Sequence, residues 1–271
     1  MFAIAAATPA AATKPSRFGV YQLMGTAPRT WQTPYELVEG IPLVNYETFV
    51  AFNPVTTAQY GLANYSLWIA YGERSRLEAA ETAGRWLIHR EEPNGGLPYG
   101  FPWTPAGSTE TLAPGWMSAL AQGQTVSLLE RLYHHSHEAI YRHGIQQALR
   151  PLSTLGSRGL ERHYLGGTYF EEYPTKTVNF SMNGDAQTLL GLYDIANLFP
   201  VAEKLFKEGA RTLAHDLPMF DSGKGYSLYS IAWPYHPPPG YDPLIQDELR
   251  LLGAITGNHV FDHYAALWFE P

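Results

Sequence analysis

The sequence contains no cysteine, which excludes a disulfide framework, thiolate metal ligation and a cysteine nucleophile together. It has no apolar run near the ~18–20 residues that a membrane helix requires. It also has no run of lysine and arginine: 18 basic residues stand against 25 acidic ones, for a net charge of −7. Duplex nucleic acid is therefore not expected as a partner. There is no G-x-S-x-G elbow and no dinucleotide fingerprint, and DSGKG at 221–225 lacks the spacing of a phosphate loop. Charged residues make up only 16%, yet the 45% hydrophobic content is ordinary for a folded protein and excludes disorder over most of the chain. The opening MFAIAAATPAAATKP has no basic n-region and only a short apolar stretch. It reads as a disordered leader over residues 1–15, followed by a single domain over 16–271.

What is abundant is aromatic: 18 Tyr, 12 Phe and 7 Trp, beside 21 Pro and 25 Gly. That mixture suggests aromatic-lined loops on a rigid scaffold. Four stretches carry helical apolar periodicity, and each divides into two helices. They begin near Thr56, Pro114, Ser181 and Asp242, with the second helix of each pair opening near Ser75, His137, Val201 and His259. Tyr71, Tyr133, Tyr193 and Ile255 fall near the end of the first helix of each pair, a spacing longer than most short solenoid units. The first three pairs open alike, with AQYG, AQGQ and AQT. Between pairs run loops such as NGGLPYGFPW, GGTYFEEYP and DSGKGYSLYSIAWPYHPPPGYD, whose alternating aromatics predict short strands. The fold expected is mainly α: an α/α toroid of about four helical hairpins, with small β stretches in the long loops and those loops at its mouth; an open helical array with incidental long loops is the alternative.

The segment richest in chemistry is Tyr169-Phe170-Glu171-Glu172-Tyr173-Pro174, followed by Asn183. Strand alternation sends Glu171 and Glu172 to opposite faces, and Glu172 and Tyr173 likewise. A carboxylate and a phenol at a pocket edge suit acid/base work; a solvated glutamate pair with packing tyrosines satisfies the same pattern. HHSHEAIYRH holds four histidines at a helix junction but no evident third ligand, so it reads as a solvated turn and no metal site is expected. Asp221 and Gly223 read as a turn. No cofactor is expected.

The run EEYPTKTVNFSMNGDAQTLLGLYD resembles the C-terminal region of the glucuronyl C5-epimerases that act on heparosan and heparan sulfate precursors. That family carries EEYP, then Asn-Gly at the same offset, then a leucine-rich helix. PGWMSALAQGQTVSLLERLY is similar to its PGW-x-SAMAQGQ helix, NPVTTAQYGLANYS to its AQYGL segment, and FDSGKGYSLY to its YDTGSG loop. The four matches keep their order across residues 53–229.

The resemblance implies a helical α/α barrel and inversion of C5 in a uronic acid residue within a polysaccharide. It implies catalytic roles for Glu172, Tyr173 and Tyr241. It implies substrate contacts at Gln122, Gly123, Gln124, Asn183, Gln187 and Tyr229, and sugar-stacking platforms at Tyr99 and Trp103, with Trp116 as a third aromatic that helical placement would bury. It leaves room for a homodimer and implies an extracytoplasmic setting rather than a cytoplasmic one. The chain departs from the family where the latter has DLRH and DYHTTHINQL: the Arg is absent and Asp242 follows the tyrosine. Lys176, Arg162 and Lys224 are then the nearby candidates to neutralise substrate charge. Too few residues precede Asn53 for the β-rich region that comes before the helical domain in animal relatives. Three functions stay open on these residues: an epimerase, a lyase that abstracts the same proton and eliminates the C4 substituent, and a glycan-binding module without catalysis.

Overall fold

The computed structural model describes residues 36–233 and 241–268; the leader over 1–15 lies outside the described residues. Among these, the chain is mainly helical, and the helices come as four successive pairs. They are α1 (Pro54–Tyr71) with α2 (Arg74–Arg90), and α3 (Ala119–Ser136) with α4 (Ala139–Leu152). Then follow α5 (Met182–Ile195) with α6 (Pro200–Asp216), and α7 (Tyr241–Thr256) with α8 (His259–Leu267). Connections of a few residues force the two helices of a pair to pack side by side. In the first pair Gly72, at φ +72°, ends α1 in the left-handed conformation, where a side chain would be strained. At the other end Asn53 accepts the Thr56 N–H at 3.2 Å and Pro54 occupies the first turn, so a side-chain cap and a preset φ start the helix.

The first helices pack on each other in chain order, α1 on α3, α3 on α5 and α5 on α7, while each second helix packs against its own partner. This two-layer arrangement explains the burial pattern. In α3 every residue from Ala119 to Leu132 is buried, whereas α4 and α6 bury one face. Small residues allow α3 and α5 to approach. A Cβ built on Gly123 would sit 2.6 Å from the Thr188 Cα, and one on Gly191 would overlap the Gly123 carbonyl.

Two antiparallel sheets carry the described strands. β1 (Glu36–Val38), β2 (Ile41–Asn45) and β3 (Val50–Phe52) form an antiparallel sheet ahead of α1. β4 (Glu161–Tyr164) and β5 (Gly167–Phe170) pair with Arg162 opposite Tyr169. Both two-residue turns, Glu39-Gly40 and Leu165-Gly166, have positive φ at each position, the backbone that lets strand twist continue through a tight turn. Two local expectations are corrected. The second pair starts at Ala119 rather than at Pro114, because residues 113–117 form a turn whose Trp116 carbonyl accepts the Tyr99 N–H at 2.9 Å. The alternation predicted through Tyr173 ends earlier, because β5 stops at Phe170 and the chain bends at 172–173.

Candidate active site

The β4–β5 hairpin delivers Glu171 and Glu172 to the N-terminal ends of α3 and α5. Glu171 donates its N–H to the Leu160 carbonyl and accepts the Ala119 N–H, both at 2.9 Å, while Asp185 of α5 accepts the Phe170 N–H at 2.9 Å. The backbone is thereby fixed on both sides of the carboxylate pair. Glu171 turns inward, fully buried, and pairs with Arg162 at 2.6 Å; burial pushes its carboxyl up to about 7, against the pull of that guanidinium. Glu172 turns the other way. Because the strand has ended, Tyr173 follows Glu172 to the same cleft instead of opposing it.

Glu172 is buried, and its Oε2 accepts the Ser181 hydroxyl and the Tyr229 hydroxyl, the latter at 3.1 Å. The Tyr173 hydroxyl also bonds to it. Burial raises the Glu172 carboxyl above its ordinary value, and the three hydroxyls pull it back. Tyr173 is held well above the ordinary phenol range, first by burial and then by the adjacent Glu172 charge. The meeting of Glu172 with Tyr229 follows from an isolated bridge between Ser181 and Ser230, with the Met182 N–H on the Tyr229 carbonyl at 3.0 Å. Gly184 completes the fit, since a Cβ there would lie 2.7 Å from both Cβ and Oε2 of Glu172.

Tyr241, the first residue of α7, stands beyond Tyr229, with ring centroids 5.3 Å apart, and donates its hydroxyl to Asn183 Oδ1 at 3.0 Å. Asp242 is buried and turned away, accepting the Ser227 hydroxyl at 2.8 Å. Outward from Glu172 opens a cleft of ≈ 140 Å³ walled by aromatics. Tyr99 stacks on Trp116 at 3.8 Å, and Trp103 packs edge-on to Tyr46 at 5.6 Å. Trp116 therefore belongs to the wall and not to a helix interior, its indole N–H held by the Phe101 carbonyl at 3.0 Å.

The residues anticipated from sequence thus divide in two. Glu172, Tyr173, Tyr99 and Trp103 line the cleft, while Tyr229 bonds Glu172 directly and its ring packs on Tyr241, which bonds Asn183. Gln122, Gly123, Gln124 and Gln187 are brought together in the helix interior. Gln122 is fully buried, with its amide on the Leu97 N–H and on the Gly95 and Ala148 carbonyls, so it anchors the NGGLPYGFPW loop. Gln124 donates to Gln187, which donates to Glu248 at 2.6 Å. Of the cations considered, Arg162 is engaged by Glu171, and Lys176 and Lys224 are exposed on turns whose N–H groups bond Glu110 and Ser222.

The structure adds groups that sequence reasoning missed: Tyr46 and Asn53 from the N-terminal sheet, Phe101, Ser118, Ser181 and Glu248. Ser118 and Ser181 carried a readable signal, each standing just before the first helix of a pair. Among the described residues no three His, Asp or Glu side chains are grouped to hold a metal ion, and no helix is long and apolar enough to cross a membrane. Asp221 instead closes a turn, accepting the Gly223 N–H at 3.0 Å.

Comparison with known proteins bears on this geometry. The chain is 31% identical over 212 residues to a D-glucuronyl C5-epimerase of Caenorhabditis elegans, an alignment covering 69% of this chain and 33% of that protein. It is 25% identical over 172 residues to an uncharacterized protein of Methanocaldococcus jannaschii, covering 59% and 53% of the two chains. It therefore spans a third to a half of the relatives it matches. The model of the D-glucuronyl C5-epimerase C-terminus matches residues 91–270, taking in Glu172, the aromatic wall from Tyr99 onward and the α7 tyrosine, and on that match the chain belongs to the D-glucuronyl C5-epimerase C-terminal family.

Proposed function

We propose that this protein is a carbohydrate epimerase that inverts C5 of a uronic acid residue within a polysaccharide, in the sense of D-glucuronate to L-iduronate. The observation that carries the reading is Glu172, a buried carboxylate bonded by three hydroxyls at the end of an aromatic cleft. A proton next to a carboxylate is weakly acidic, so its removal needs a base stronger than a solvated glutamate. Burial raises Glu172 in that direction while the hydroxyls keep it ionisable. Glu172 takes the C5 proton and the bonding pair moves into the C5–C6 enolate. A phenol, Tyr241 or Tyr173, delivers a proton to the opposite face, forming the new C5–H bond; exchange with solvent then removes the proton from Glu172 and restores the one on the phenol.

The enolate carries added negative charge on its carboxylate oxygens, and hydroxyl and amide donors fixed in advance stabilise it without reorganisation. The Asn183 amide is the donor assigned here, with Tyr229 holding Glu172 and Tyr99 and Trp103 gripping sugar faces. Gln122, Gly123, Gln124 and Gln187 act from behind, holding the loop and helices that carry the site. In this reading the four helical hairpins close into an α/α toroid with the cleft at its mouth, and residues 16–271 work as one domain. The test is incubation of uronate polymers in heavy water, followed by proton NMR. Deuterium entering C5 with chain length unchanged supports an epimerase. Ultraviolet absorbance from a new double bond identifies a lyase, and binding without exchange identifies a non-catalytic module.

A further inference from the structure

Glu248 is buried to 0% exposure, two helical turns along α7 from Tyr241, and nothing in the epimerase reading uses it. Its Oε1 accepts the Gln187 amide at 2.6 Å. That amide is oriented from its other end, because Gln187 Oε1 accepts from Gln124. Its Oε2 is buried without a hydrogen-bond partner among the described residues. Glu172 packs against Gly184 of α5 and Glu248 bonds Gln187 one turn along the same helix, so the charges that bear on Glu248, those of Glu172 and Asp247, are both acidic. Its facing groups on α5 and α3, Gln187 and Gln124, are neutral, and Asp262 of α8 lies against Gly253, more than a turn away. Glu172 is faced by Ser181, Tyr173 and Tyr229, with Tyr99 close enough to feel its charge.

Two buried carboxyl groups that repel each other, with no ion pair reaching either among the described residues, do not both ionise at moderate cost. The donors decide which one does. Glu172 receives three hydroxyl hydrogen bonds and Glu248 a single amide one. We propose that Glu172 and Glu248 are an electrostatically coupled pair holding one proton between them, with the charge on Glu172 and the proton on the unpartnered Oε2 of Glu248. Glu248 is then a positioning residue. It keeps the negative charge on the side chain that faces the cleft, and through Gln187 it ties α7, which carries Tyr241, to α5. Its consequence for catalysis rests on the epimerase reading; the proton assignment does not.

The assignment predicts an asymmetry that distinguishes it from a merely structural contact. Protein labelled with carbon-13 at glutamate Cδ is titrated by NMR as wild type, Glu248→Gln and Glu172→Gln, with each resonance identified by its loss in its own variant. In wild type the Glu248 carboxyl stays protonated through neutral pH. Glu248→Gln, which imitates the neutral form, leaves the Glu172 midpoint in place. Glu172→Gln removes the facing charge and lowers the Glu248 midpoint by at least about one pH unit, tenfold in dissociation constant. The proposal is overturned if Glu248 is ionised at neutral pH, if Glu248→Gln lowers the Glu172 midpoint, or if Glu172→Gln leaves Glu248 unmoved. Each variant reports independently should the other fail to fold. No readout involves turnover, so absence of C5 exchange would count against the epimerase reading alone.

Discussion

The helices α3 and α5 face each other along their length, and their two ends solve the same problem in opposite ways. Toward their C-terminal halves Asp194 of α5 meets Arg131 of α3 at 2.6 Å, with Ser127 between them. Both charges are almost completely buried and each answers the other. At the N-terminal end Glu172 is equally buried, but its partners are hydroxyls. An ion pair fixes charge in place and cancels much of it. Hydroxyl donors lower the cost of ionisation without cancelling the charge, so basicity survives. On the proposed function, one end locks two helices and the other keeps a carboxylate reactive beside an open cleft.

The sharpest way to break this contrast is to neutralise each end in turn. Glu172→Gln should lower C5 deuterium exchange by about 10³–10⁴-fold, the upper range for loss of a general base. Its thermal midpoint should be unchanged or higher, because a buried charge with no ion-pair partner among the described residues has been removed. Exchange within tenfold of wild type would take Glu172 out of its role. Arg131→Met should do the reverse, leaving Asp194 buried and alone at a cost of about 3–5 kcal/mol, read as a fall in the denaturant midpoint. Converting both residues of that pair to apolar ones should recover most of the loss. A single variant as stable as wild type would mean that the two ends do not differ as argued.

The helical half of this contrast was legible in the sequence, because apolar periodicity and turn residues are local. Tyr71, Tyr133, Tyr193 and Ile255 do stand at or within three residues of the ends of the first helices. EEYP pointed to Glu172 for the same reason: the chemistry lies in one short run. What escaped were pairings set by distant segments. Glu248 meets Gln187 and the charge of Glu172 only because α7 packs on α5. Tyr46 reaches the aromatic wall only because the N-terminal sheet folds over it. Gln122 and Gln124 stand two positions apart in sequence with the same side chain, and nothing local told that one anchors a loop while the other reaches a neighbouring helix. The bend after Phe170, which reverses the expected divergence of Glu172 and Tyr173, is likewise imposed by the Ala119 contact.

A smaller perturbation tests whether the two ends communicate through the helix contact between them. Gly123→Ala places a methyl 2.6 Å from the Thr188 Cα, which backbone cannot yield without a shift. The cost should be about 1–3 kcal/mol, as for overpacking, measured by denaturant unfolding. Since Gln124 and Gln187 sit at the same level, C5 exchange should fall along with stability. A stable variant with unaltered exchange would show that helix spacing does not set the site.

The finest distinction concerns the hydroxyls themselves. Tyr229→Phe keeps the ring 5.3 Å from Tyr241 and removes one of the three donors to Glu172. Losing a donor to the charged form raises the carboxyl further above its ordinary 4.5. Because the base works only when ionised, the acid limb of the pH–exchange profile should move to higher pH. Exchange at a fixed pH on that limb should drop about tenfold, the equivalent of one unit. Stability follows the opposite sign. A carboxyl raised in the folded state costs stability as pH climbs from 4.5 to its folded value, so in the variant that loss runs on to higher pH and is larger. An acid limb that stays put while activity falls uniformly would mean that Tyr229 binds sugar instead of tuning the base, and the hydroxyl end of the α3–α5 pair would then be tuned by Ser181 and Tyr173 alone.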